Sequence, residues 1–241
     1  VEINPDKYTQ AKINLSRNRW ANTQALANVV APDEESLKNL LETSGTTISD
    51  YFIMAERERM LDFYQSNINA EALRRVYQQF GCKIAVPTSL NKYEKKDNFL
   101  WITNGSAQIR QDIVIYTTPY HSTDQLTHEA ILARRDSVMK ANMPGGVEGS
   151  YMGTEYRHLP PITNFVTHHN AWCAETRGLW KMKNGEHMGG PFISLTRVDE
   201  MNMQIITIEG FVFAPGKDKR NPLRQLEAML YSLLLPHEVN E

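Results

Sequence analysis

The stretch that decides the fold runs from Trp172 to Phe192, WCAETRGLWKMKNGEHMGGPF. Its even positions are Trp172, Ala174, Thr176, Gly178, Trp180 and Met182, and its odd positions from Glu175 are Glu175, Arg177, Leu179, Lys181 and Lys183. Successive side chains of a strand point to opposite faces, so this period of two predicts a half-buried antiparallel strand. A turn-like NGEHMGG closes it, and two more strand-like runs follow, PFISLTRV and MQIITIEGFVFAP. Then comes an amphipathic helix with Leu223, Leu226, Leu230, Leu233 and Leu234 in one stripe, and with Asn221 and Pro222 at N-cap and N1. The reading is a three-stranded meander closed on one face by a C-terminal helix.

Upstream, Lys12 to Asn18 and Thr23 to Ala31 read as strands. Asp33, Glu34 and Glu35 open a helix with stripe residues Leu37, Leu40 and Leu41, and Gly45 is placed to end it. Thr47 with Asp50 resembles a capping box and starts a second helix to about Ser66, whose AERERM centre reads as a solvated face. Asn69 caps a third helix with stripe Leu73, Val76, Tyr77 and Phe80, which exits at Gly81. KIAVP is a short strand candidate, and SLNKYEKKDN reads as a polar loop. FLWIT and IRQDIVIYTTP are joined through the turn signal Asn104-Gly105, and Ser122 with Gln125 forms another capping box. Tyr151 to Tyr156 and Ile162 to His168 are further strand candidates.

The fold class is therefore α+β, mainly antiparallel sheets with helices packed on one side. A helix-rich half, residues 1–92, and a sheet-rich half, residues 93–241, are expected to divide near Asn91 to Asn98. The opening VEINP reads as the end of a strand, so an N-terminal portion is expected to precede it.

The 241 residues hold 26 Lys and Arg against 28 Asp and Glu, a formal charge of −2, so no nucleic-acid partner is expected. No apolar run approaches the roughly 20 residues of a membrane helix. Cys82 and Cys173 each sit beside apolar residues and read as buried free thiols.

No constellation states a chemistry. His168 and His169 are adjacent and point to opposite faces of a strand; His121 and His128 are seven apart and only the second is on a helix; His158 and His187 lie in loops. No Gly-x-Ser-x-Gly or phosphate loop occurs, and Gly145-Gly146 and Gly189-Gly190 lack the Lys-Ser/Thr that would follow. No catalytic residue, metal site or cofactor is expected.

The best polar grouping is Glu175, Arg177 and Glu209. If Trp172, Trp180 and Met182 face the last helix together with Ile206, Ile208 and Val212, these charges share the open face with Phe211 and Phe213. A surface ion-pair cluster, worth at most about 1 kcal/mol per pair, is one account. A recognition surface for a carboxylate, sugar or peptide is the other, with Arg177 as the fork. Lys217, Lys219 and Arg220 oppose the dipole of the last helix, which favours an anionic contact there.

ETRGLW, MGGPFIS, EGFVFAPGKDKR and LRQLEAMLYS resemble segments of an uncharacterised family of Bacteroidetes proteins with lipoprotein-type signals, known as a domain of unknown function. NFLWITN, ARRDSVMKANMPG and AERERML are similar to further segments of it. The resemblance implies an address, the cell envelope with a lipidated N terminus, and carries no catalytic residues. Three functional readings follow. The leading one is a non-enzymatic envelope protein that binds a protein, glycan or small-molecule partner. The others are a hydrolase using Glu175 and Glu209 as acid and base, and a structural or oligomerising module.

Overall fold

A computed structural model describes residues 1–239. The chain divides into two compact units, Val1–Asp62 and Phe63–Glu241.

In the first unit, β1 (Glu2–Ile3), β2 (Lys12–Arg17) and β3 (Ala25–Ala31) form a sheet in the order β1-β3-β2, with β1 parallel and β2 antiparallel to β3. Helix α1 (Glu34–Ser66) follows, its first turn capped by Asp33, whose Oδ1 accepts from Ser36 N at 2.7 Å. Gly45 does not end it, and Thr47 is mid-helix rather than a cap. One glycine costs a helix only about 1 kcal/mol. Contacts further along hold the helix on the sheet: the Tyr51 hydroxyl donates to the Ser16 carbonyl, Arg17 pairs with Glu58 at 3.0 Å, and Arg59 Nη1 donates to Thr23 O at 3.1 Å.

The second unit starts from α2 (Ala70–Phe80). Asn69 caps it by accepting from Glu71 N and Ala72 N, and Gly81 leaves it at φ 70°, both as the sequence predicts. Strands β4 (Lys92–Lys96), β5 (Phe99–Thr103) and β6 (Arg110–Pro119) come next, then a 3-10 turn (Thr123–Leu126) and α3 (His128–Asn142). Strands β7 (Tyr151–Glu155) and β8 (Ile162–His168) lead into the predicted meander of β9 (Ala171–Lys183), β10 (Gly189–Asp199) and β11 (Gln204–Phe213), and α4 (Arg220–Leu230) closes it. The sheet is antiparallel in the order β4-β5-β6-β11-β10-β9-β7. The long β9 pairs with β8 along its first half and with β7 along its second.

The polar stretch read as a loop, where the chain was expected to divide, forms β4 and the turn of the β4–β5 hairpin. The helix before it belongs with the large sheet: Asn69 Nδ2 donates to Tyr93 Oη at 2.8 Å, and Arg75 stacks over the Tyr93 ring at 4.6 Å.

The class is α+β and mainly antiparallel, with the C-terminal helix in place. The helices occupy both faces of the large sheet. A Cβ added to Gly210 would lie 2.9 Å from Leu226 Cβ, so the face bearing Ile206, Ile208 and Val212 carries α4. Tyr93 pairs with Ile102, Ile102 with Ile113 and Ile113 with Gly210, which puts α2 on that same face. The opposite face carries α3, whose Arg135 binds Glu209. Trp180, Phe192, Phe211, Tyr116 and Met139 make the apolar core there, each burial contributing about 1.5–3 kcal/mol.

Candidate functional site

The residues singled out in the sequence are placed on two different faces. The register sets Thr176 opposite Ser194 and Ser194 opposite Glu209, so Glu209 shares the face of Trp180, beneath α3. Glu175 and Arg177 point the other way, toward α4. The alternation within each strand is as read from the sequence. What was wrong was which face of β9 goes with which face of β11. Both faces are covered, so alternation alone cannot distinguish inward from outward.

On the α4 side, Arg177 Nε donates to Glu175 Oε1 at 2.7 Å, and its Nη2 lies 3.0 Å from Glu227 Oε1. The Tyr231 hydroxyl donates to Glu175 Oε2 at 2.6 Å, and Arg224 reaches Glu227 at 3.4 Å. Burial lowers the Arg177 pKa, but the hydrogen bonds and charges of Glu175 and Glu227 more than reverse that and leave it raised. The guanidinium fork is thus engaged by this protein's own carboxylates, as a clamp between β9 and α4. Arg220 is exposed at the first residue of α4, about 10 Å along the helix from Glu227. It does not join the cluster.

On the α3 side, Glu209 and Arg135 are fully buried and form a fork: Nε to Oε2 at 2.7 Å and Nη2 to Oε1 at 2.6 Å. Arg135 Nη1 donates to Thr154 Oγ1 at 2.8 Å, and the guanidinium stacks on the Phe192 ring at 3.8 Å. Burial pushes the Glu209 carboxyl up, with Arg135 the main opposing charge. Phe211 is fully buried, and Phe213 is half-buried against the same core. Neither phenylalanine is on a wet face. Glu175 and Glu209 lie on opposite sides of the sheet, so they do not form an acid–base pair across one bond.

An open cleft of the second unit lies elsewhere. A cleft of about 490 Å³ is lined by Tyr120, Thr123, Leu126, Thr127, Phe165, Ala171, Trp172, Val198 and Glu200. The end of β6 and the following 3-10 turn supply one wall, and the neighbouring ends of β8, β9 and β10 supply the other. Phe165 and Trp172 stack at 5.7 Å between centroids with planes 28° apart, while 59% and 39% exposed. The β8–β9 turn sets this plate: His169 and Asn170 have φ of 48° and 58°, a two-residue turn with both central residues left-handed. It pairs Thr167 with Trp172, so Phe165 is the diagonal neighbour on the same face. Trp172, expected under the last helix, is instead part of this open plate. Glu200 is the one charged residue of the lining. Phe165, Tyr120, Val198 and Glu200 were missed in the sequence. The signal for Phe165 was the His169-Asn170 turn, which fixes its position relative to Trp172.

Among the described residues no three His, Cys, Asp or Glu side chains converge to hold a metal ion. Cys82 and Cys173 are free and buried, and burial raises both thiols to about 12. His168 is buried and donates Nε2–H to Tyr231 O at 2.9 Å, leaving Nδ1 buried without a partner. Burial lowers its pKa to about 4.

The family model described as Domain of unknown function (DUF4837) matches residues 69–232, more than half of the chain. The chain belongs to that family. A second model, Domain of unknown function (DUF8532), matches residues 1–65. No curated protein matches the chain. The DUF4837 span starts at the cap of α2 and contains the whole eight-stranded sheet, the aromatic cleft and α4. The DUF8532 span contains the three-stranded sheet and nearly all of α1. No helix among the described residues is long and apolar enough to cross a membrane.

Proposed function

We propose that the second unit is a non-enzymatic binding module and that its recognition surface is the aromatic cleft, which takes a neutral saccharide. The stacked, exposed Phe165–Trp172 plate is the observation that carries this reading. Leaving two such rings in water is unfavourable, and a sugar ring presents an apolar C–H face that covers them. The rim supplies what the edge of a sugar needs: Glu200 as a hydrogen-bond acceptor, with hydroxyls on Thr123 and Tyr120. A lone carboxylate with no cationic residue in the lining disfavours an anionic ligand. Placement in the cell envelope, through a lipidated N terminus of a Bacteroidetes protein, belongs to this proposal through the resemblance of the sequence segments.

Titration calorimetry of the whole chain against a panel of neutral and acidic oligosaccharides tests it. A neutral member is expected to bind, and Trp172→Ala to weaken it about tenfold, the equivalent of a stacking contact of about 1.4 kcal/mol. Saccharide binding that survives both Trp172→Ala and Glu200→Gln overturns the site. A panel with no binder overturns the ligand class.

A further inference from the structure

The large sheet ends in strand edges that are treated differently. Strand β4 carries exposed Lys92, Glu94, Lys95 and Lys96, charges of the kind that keep a free edge from pairing. Strand β7 is covered: Met152 N donates to Met143 O at 2.9 Å, Pro144 bridges to Tyr151, and Thr154 N donates to Asp136 Oδ1 at 2.8 Å. Strand β8 has β9 on one side, and among the described residues its backbone has no partner on the other. Its sequence, ITNFVTH, contains no Lys, Arg, Asp, Glu or Pro, and Ile162 and Phe165 are each 59% exposed. None of the usual guards is present on this edge.

The turn fixes which groups are free. A two-residue turn makes His168 and Ala171 the closely hydrogen-bonded pair, so alternate residues back along β8 bond to β9. The N–H and C=O groups of Thr163, Phe165 and Thr167 therefore point away from the sheet.

We propose that β8 pairs antiparallel with β8 of a second copy of this chain, about a two-fold axis at Phe165. Centred there, Phe165 meets Phe165 of the second copy and Thr163 meets Thr167. Every outward residue then faces an outward residue, and about six backbone hydrogen bonds form. The edge suits itself because it carries no charge, so no like charges meet, whereas the same operation on β4 would set lysine near lysine. Such contacts are isologous and close as a dimer. The Phe165–Trp172 plates of the two copies become one row, and each cleft gains the second copy's Phe165 at its rim. The pairing is independent of what the cleft binds.

Sedimentation or light scattering of the whole chain over a concentration series reads the result. A dimer is expected, weakened at least about tenfold by Phe165→Lys, which opposes two lysines at the axis, and by Thr167→Pro, which removes an outward N–H. Phe165 also lines the cleft, so Thr167→Pro separates this pairing from saccharide binding. Circular dichroism and urea unfolding establish that both variants fold. Phe165→Cys is expected to cross-link the dimer under mild oxidation, since Cys82 and Cys173 are buried. A chain that stays monomeric throughout overturns the proposal. So does a dimer that both edge variants leave intact, or a foreign protein strand required to occupy the edge.

Discussion

Replacing Arg135 by Met tests whether the two-faced sheet is correctly understood. The guanidinium gives both Glu209 oxygens their hydrogen bonds, at 2.6 and 2.7 Å, and neither residue has measurable contact with solvent beyond 1%. Arg135→Met keeps an apolar stem of similar reach, so little cavity forms, but it leaves a buried carboxylate without its cation. Breaking one side of a buried pair costs about 3–5 kcal/mol. The loss of the stack on Phe192 and of the bond to Thr154 places the expectation in the upper part of that range. Urea unfolding at pH 7 should show the midpoint fall with an unchanged slope. In this variant the folded-state pKa of Glu209 lies far above its unfolded value, so protonation favours the fold and the deficit should shrink as pH falls toward 5. Adding Glu209→Leu removes the orphaned charge and should restore most of the loss, because hydrocarbon in place of a buried pair is often neutral or better. A cost below about 1 kcal/mol, or a double variant as unstable as the single one, would refute the reasoning.

Gly45 lies inside α1 with nothing within 4 Å of an added Cβ, so Gly45→Ala should stabilise the first unit by about 0.5–1 kcal/mol in thermal or urea unfolding. Gly210→Ala should do the reverse, by about 1–3 kcal/mol, because its Cβ would meet Leu226 Cβ at 2.9 Å and that atom is fixed to the α4 backbone. The His168 imidazole has a folded pKa of about 4 against 6.5 ordinarily, so its contribution is full above pH 6.5 and is lost as pH falls through 4. Urea midpoints across that window should lose up to about 3 kcal/mol of stability, and His168→Gln should flatten the dependence. Both thiols, raised to about 12 by burial, should react with a thiol reagent in urea and scarcely at all in the native protein.

Much of the local structure is legible in the sequence because its causes are local. Asn69 and Gly81 bracket α2 through one cap and one left-handed residue, and the alternation from Trp172 to Met182 specifies a strand whatever packs on it. The α+β class, the meander and the closing helix follow from such signals. Four features were decided only in three dimensions. Gly45 reads as a stop, yet the helix runs through it, since contacts made by Tyr51, Glu58 and Arg59 lie beyond its reach in sequence. The residues that sequence grouped as one surface are split between two buried faces, because a strand pattern gives alternation but not which side carries α3 and which carries α4. The cleft joins Tyr120 to Trp172 and Glu200 across strands β6, β10 and β9, and the open edge of β8 exists only because β9 is long enough to hold two partners end to end. Periodicity is a property of one segment and survives any neighbour. The facing of a sheet and the closing of a pocket depend on which distant segments meet, and that depends on how the whole chain shares its apolar surface.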